Sequence, residues 1–173
     1  LSANLYIVGG LPDEIGELQR LKKLDVSRSR LSSLPSSISN LKALRKLFVF
    51  GNKLEQLPST IGELGNLLEL QAHDNDIKVV PETVGALGNL EILRLHRNRL
   101  KEVPEQLGNC MKLRELQLSS NVRITTLPVS LSRIPNLHIE LYRTYFECLP
   151  QGWLLRPNQI TIEPLGGSVP FCT

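Results

Sequence analysis

The chain has 173 residues, with 20 basic against 17 acidic side chains and a net charge of +3 when histidine is neutral. That length suffices for one buried core, and so mild a positive excess calls for neither nucleic acid nor an anionic membrane as partner. No apolar run approaches the roughly 18–20 residues that a helix needs to cross a bilayer, and three cysteines are too few for a dense disulfide framework.

Residues 1–10 follow no clean pattern. Leu1 to Val8 read as the stump of a repeat or a flank, and the chain as a piece of something longer. From residue 11 a dipeptide recurs: Leu11-Pro12, Leu34-Pro35, Leu57-Pro58, Val80-Pro81, Val103-Pro104, Leu127-Pro128 and Leu149-Pro150. The prolines step by 23 residues four times, then by 24 and 22. A period in this range marks a stack of small units, none of which can bury its apolar face alone. Three, six and nine residues after each proline come apolar side chains, as in Ile38, Leu41 and Leu44 or Ile61, Leu64 and Leu67. That spacing places one face of a helix or 3₁₀ turn inward, with proline in its first turn.

The spacing then drops to two. Leu24/Val26, Leu47/Val49, Leu70/Ala72, Leu93/Leu95 and Leu116/Leu118 predict short strands with one face inward. A polar column follows at Asn52, Asn75, Asn98 and Asn121, with Ser29 as the variant. Amides there can donate and accept, which suits them to satisfy buried backbone at the turn out of each strand. Leu31, Leu54, Ile77 and Leu100 return the chain to the core. Toward the C-terminus the pattern strains: Glu140 and Tyr142 stand where leucines are expected and Tyr145 where asparagine is, although the alternating Leu137, Ile139 and Leu141 still predict a strand of open register. Residues 151–173 read as a degenerate last unit and a cap over the open end of the core.

This pattern of Leu-Pro, Ile, three leucines, a two-residue strand alternation and Asn resembles the leucine-rich repeat family over residues 11–150. The 23-residue form with Ile15-Gly16 and Ile61-Gly62 is similar to Ras-group and Scribble-type intracellular repeats, to plant Ras-group repeats and to bacterial leucine-rich effectors. The resemblance implies an α/β solenoid, a horseshoe with a parallel concave sheet and helical or 3₁₀ segments on its convex side. It also implies a scaffold that binds proteins, in signalling or as an effector. The periodicity itself establishes only the solenoid.

Between the core leucines of each strand, side chains should face the concave surface. One column there is Asp25, Phe48, Gln71, Arg94 and Gln117; the next is Ser27, Phe50, His73, His96 and Ser119; the strand exit carries Arg28, Gly51, Asp74, Arg97 and Ser120. These positions vary while the core columns hold. The candidate partner-binding residues are Phe48, Phe50, Gln71, His73, Asp74, Arg94, His96 and Arg97, since exposed aromatics and arginines are the types enriched at energetic hot spots. The bland alternative for the two phenylalanines is packing on each other or beneath a flanking segment.

His73 and His96 share a column, and Asp74 is the sole third ligand that a metal could find there; no metal and no cofactor is expected. The basic runs, such as Lys42/Arg45/Lys46, recur at one phase and read as a solvated approach to each strand rather than a nucleic-acid surface. Cys110 occupies a leucine column and reads as a buried hydrophobe. Cys148 and Cys172 are near enough in sequence to the cap to pair across it, but a reducing interior is the favoured setting. No nucleophile elbow, phosphate loop, CxxC or HExxH is present, and Cys148 with His138 lacks a third group, so no enzyme is expected. The function predicted is protein binding on the concave face, in the cytoplasm (a host's, if a secreted effector). Two alternatives stay open: the substrate-recognition arm of a larger enzyme such as an effector ubiquitin ligase, and an extracellular receptor ectodomain.

Overall fold

The computed structural model describes residues 10–155 and 160–163. Seven strands form one parallel sheet in sequence order: β1 (Lys23–Asp25), β2 (Lys46–Phe48), β3 (Glu69–Gln71), β4 (Ile92–Arg94), β5 (Glu115–Gln117), β6 (Leu137–Glu140) and β7 (Ile160–Glu163). Parallel neighbours need a long crossover between them. A five-residue 3₁₀ turn, η1 (Asp13–Glu17), precedes β1, and each crossover is one coil that carries another: η2 (Ser36–Asn40), η3 (Ser59–Glu63), η4 (Glu82–Ala86), η5 (Glu105–Asn109), η6 (Val129–Arg133) and η7 (Gln151–Leu155). The fold is a leucine-rich-repeat solenoid, sheet on one side and 3₁₀ turns on the other.

Proline does not enter these turns, as the spacing had suggested, but stands just before each of them, Pro150 before η7 included. Pro12, Pro35, Pro58, Pro81, Pro104 and Pro128 cap η1 to η6 in an extended conformation, with ψ from 141° to 154°. Each proline carbonyl accepts the N–H three residues on, as Pro58 does from Ile61 at 3.0 Å. The missing proline N–H therefore costs no bond. Ser39 and Ser132 hold the fourth place after proline in η2 and η6, but η3 and η4 approach their neighbours too closely for a side chain there: a Cβ on Gly62 would stand 2.1 Å from the Thr83 carbonyl oxygen, and one on Gly85 2.3 Å from that of Gln106.

The core is continuous. The apolar columns predicted from the repeat are buried from Leu24 to Leu141, and Trp153 closes them at the described C-terminal end. The first coil departs from this. Leu18 is 44% exposed, and Ile15 and Leu21 are only partly buried. Among the described residues that coil stacks on one neighbour only, so its leucines have half the cover of those further along.

The asparagine column does what its chemistry predicts. Asn52 accepts from the N–H groups of Ser29 and Leu31 at 2.9 Å each and donates to the carbonyls of Val26 and Val49 at 3.0 and 2.8 Å. Asn98 accepts from Ile77 and donates to Ala72 and Leu95. Each amide thus joins two coils and leaves the buried turn satisfied.

The sixth coil requires a correction. The pairing Glu115↔His138, Leu116↔Ile139 and Gln117↔Glu140 puts Ile139 and Leu141 in the core columns. Glu140 and Tyr142 are therefore not misplaced core residues; they continue the concave face beyond Gln117 and Ser119. The buried Thr144, not Tyr145, takes the asparagine place, its hydroxyl donating to the Leu141 carbonyl at 2.8 Å. Tyr145 is 71% exposed. The 24-residue step arises upstream, where Val122 and Arg123 bulge outward and Ile124 rather than residue 123 re-enters the core.

Residues 1–9, 156–159 and 164–173 lie outside the described residues, and with them most of the expected N-terminal flank and C-terminal cap.

Candidate protein-binding face

The strand alternation sends Leu47 and Val49 inward and leaves Phe48 and Phe50 between them on the concave side, both partly buried and outside the hydrophobic core. The rings do not stack on each other. The Lys23 ammonium lies 4.6 Å from the centre of the Phe48 ring, within range of a cation–π attraction. Phe50 instead stacks on His73, with ring centres 4.6 Å apart and planes 7° from parallel. His73 stacks in turn on His96 at 4.3 Å and 14°. The Arg28 guanidinium covers the other side of Phe50 at 5.7 Å. Three rings of one column, with Arg28 from the strand exit of the coil before them, thus form a ladder over four coils. The rungs are in register because the strand pairing is in register and adjacent strands sit about 4.8 Å apart.

The imidazoles in this ladder are poor bases. Burial, reinforced by the neighbouring His96, pushes His73 down to about 4, and burial lowers His96 as well. Both are neutral near pH 7. The Nδ1 atoms of both rings are buried without a hydrogen-bond partner. Asp74 lies 3.9 Å from His73 Nε2 and 3.3 Å from Arg97. His73, Asp74 and His96 are close enough together for a metal site. The stacking opposes one, because face-to-face rings aim their in-plane lone pairs side by side rather than at a common point.

Polar groups tie down the rest of the face. Arg94 Nε donates to Glu115 at 2.8 Å, and that bond raises the guanidinium further. Gln71 donates to Glu69, and Lys46 pairs with the same carboxylate at 2.9 Å. Burial alone would raise Glu69, but these two partners outweigh it and leave its carboxyl lowered. Gln117 donates to Glu140 at 3.0 Å, and His138 lies 3.8 Å from that carboxylate. His138, Glu140 and Tyr142 were not among the residues expected at this face. The signal was in the chain: Thr144 lies 23 residues after Asn121, whereas counting from Pro128 shifts the last coil by one.

The strand exit is a second constrained column. Arg28, Gly51, Asp74, Arg97, Ser120 and Arg143 all have φ between 53° and 67°. Glycine is the ordinary occupant of that region, yet five of the six carry side chains, which the turn then projects along the rim of the face.

The two cysteines that fall among described residues differ. Cys110 is buried, its thiol donates toward the Val84 carbonyl, and burial pushes it up to about 11, so it is an unreactive core residue. Cys148 is disulfide-bonded, and Cys172, the partner considered for it, lies outside the described residues. A bonded Cys148 offers no thiol to His138.

A stacked parallel sheet, repeating 3₁₀ turns and an asparagine ladder are the architecture of a leucine-rich-repeat solenoid. Residues 20–41 and 89–110 match the family model for the Leucine Rich Repeat. Three solved structures agree over most of the chain. The leucine-rich-repeat ectodomain of the Arabidopsis thaliana membrane receptor kinase GASSHO1/SCHENGEN3, solved with Casparian strip integrity factor 2, is 28% identical with a TM-score of 0.77, covering 88% of this chain. Listeria monocytogenes InlP is 22% identical with a TM-score of 0.73, also over 88%. A leucine-rich-repeat protein of Leptospira interrogans is 23% identical with a TM-score of 0.66, over 92%. The chain spans only 19%, 42% and 52% of those three proteins. No relative is found among curated protein sequences.

Leucine-rich repeats are typically protein-interaction modules and generally a non-enzymatic scaffold. Among the described residues no helix is long and apolar enough to cross a membrane.

Proposed function

We propose that the chain binds a protein partner on its concave face, over Phe48, Phe50, Gln71, His73, Asp74, Arg94, His96 and Arg97. The observation that carries this reading is the ladder of Arg28, Phe50, His73 and His96, held in register by the sheet. A rigid surface of this kind loses little conformational entropy on association. Its aromatic rungs supply apolar area, and the ion pairs beside them supply register. The test is capture from native extract by the F48S/F50S variant. Capture is expected to be lost while the melting temperature falls only about 2–4 °C, the shift for roughly 1 kcal/mol in a domain of this size. Full retention of capture overturns the reading.

The alternative that a particular observation favours is an extracellular one, the binding segment of a receptor ectodomain. The disulfide at Cys148 supports it, because structural disulfides persist in oxidising compartments. So does the likeness to a plant receptor ectodomain solved in complex with Casparian strip integrity factor 2. Under this reading the concave face takes a secreted peptide or small protein. Intact mass before and after reduction of the natively purified chain tests it: a gain of about two mass units per bond supports the bond, and an unchanged mass removes the argument.

A further inference from the structure

The cations of the concave face and its rim fall into two sets. In the fourth coil each arginine has a carboxylate: Arg94 lies 2.8 Å from Glu115, Arg97 3.3 Å from Asp74 and Arg99 2.7 Å from Asp76. In the first two coils Lys23 and Lys46 likewise have Asp25 and Glu69. Arg28, Arg30 and Lys53 differ: they are exposed and have no ion pair among the described residues. The three stand together. Lys53 follows Arg30 in the same column one coil on, and its N–H donates to the Leu31 carbonyl at 2.8 Å. Arg28 and Arg30 project from left-handed backbone, with φ of 55° and 59°. The Arg28 stem crosses the second coil at Gly51, where a Cβ would stand 2.9 Å from its Cγ, and its guanidinium ends 5.7 Å from the centre of the Phe50 ring. The carboxylates of the adjoining columns are engaged elsewhere: Asp25 by Lys23 and Ser27, Glu55 by Lys78, Asp74 by Arg97 and Asp76 by Arg99.

We propose that Arg28, Arg30 and Lys53 form a docking corner for an acidic segment of a partner protein, whose Asp or Glu carboxylates pair with them while an apolar neighbour lies against the exposed parts of Phe48 and Phe50. The proposal rests on the concave-face reading and names the chemistry of its partner. Charge complementarity decides for it. The chain neutralises its other face cations with its own carboxylates and leaves these three, at the coils that carry both phenylalanines, for an anion from outside. A guanidinium anchored along its stem presents N–H groups that a carboxylate can accept in pairs. The rings beside the cations select an acidic protein segment over other anions. A polynucleotide calls for a longer basic tract, and a lone phosphate has nothing to place on the rings.

The experiment uses the whole chain, ¹⁵N-labelled, and an acetylated, amidated peptide of four glutamates around one leucine as the probe. Physiological ionic strength screens charges more than about 8 Å away. The amide and Nε–H signals of Arg28 and Arg30 and the amide of Lys53 are expected to shift and saturate, and a glutamine version of the peptide should move none of them. R28Q/R30Q should weaken the peptide about tenfold. R97Q/R99Q, at the same places of the repeat but already paired, should weaken it no more than about twofold. K53Q, on another coil, should weaken it separately, so the corner is still tested if R28Q/R30Q does not fold. Silent signals, or equal losses in R28Q/R30Q and R97Q/R99Q, overturn the proposal. Tighter binding of inorganic phosphate or of an oligothymidylate than of the glutamate peptide overturns it too. Concentration-dependent shifts without peptide would mean that a second copy occupies the corner and would overturn it equally. Capture from native extract lost in F48S/F50S but intact in R28Q/R30Q leaves the concave face standing and sinks the acidic corner alone. Capture intact in both sinks the face as well.

Discussion

Two ladders run side by side through this molecule, two residues apart on the same turns. The buried one, Asn52 to Asn121, keeps one residue type through four coils. The exposed one, Ser27, Phe50, His73, His96, Ser119 and Tyr142, uses four residue types in six. The difference teaches what the solenoid demands and what it leaves free. Each asparagine satisfies buried backbone groups of two coils, a task for which few other side chains have both an acceptor and two donors. The stacked rings of Phe50, His73 and His96 have no such task, so their identity is available for recognition.

The sharpest way to break this comparison is Asn98→Ala. It leaves the buried Ile77 N–H without its partner and takes from the carbonyls of Ala72 and Leu95 one of the two amides that each accepts from, and should cost about 3 kcal/mol, read as loss of denaturation midpoint at unchanged m-value. His96→Ala, two residues upstream, should cost far less; equal losses would mean that both ladders are structural.

A smaller effect is expected where coil approaches coil. Gly62→Ala drives a Cβ against the Thr83 carbonyl and should cost about 1–3 kcal/mol. Gly65→Ala, three residues on, meets nothing within 4 Å and should be neutral or slightly stabilising. Thermal melts of the pair separate close approach from backbone freedom.

Next comes pH. Because burial holds His73 at about 4 against an ordinary 6.5, the unfolded chain takes up a proton before the folded one does. The contribution of the neutral imidazole is complete above pH 6.5, declines as pH falls from 6.5 toward about 4, and changes no further below. His96 acts in the same direction. Melting temperature should fall on acidification across that window, and His73→Phe, which keeps a ring in the ladder, should flatten the decline. The smallest effect is expected at the Lys78–Glu55 pair on the outer surface, 2.7 Å apart and more than half exposed. Lys78→Ala should leave the melt unchanged within error.

Much of this was legible beforehand because a 23-residue period repeats each physical requirement often enough to be seen. The buried columns, the strand alternation and the asparagine turn all follow from spacing. The last coil was misread because the count began at Pro128, which lies downstream of the bulge at Val122 and Arg123; counting from Asn121 places Thr144 correctly. Stacking of Phe50, His73 and His96 was not legible, since a column in sequence says that side chains share a face and nothing about how their rings turn.

The amino-acid order alone determined the solenoid: leucines at fixed intervals bury only if coils stack, and asparagine at each turn satisfies the backbone that stacking hides. Tertiary structure alone decided how the concave face is built. Register between strands 23 residues apart brings a phenylalanine and two histidines into one stack and lowers the imidazoles by burial, because distance and desolvation exist only once the coils are packed.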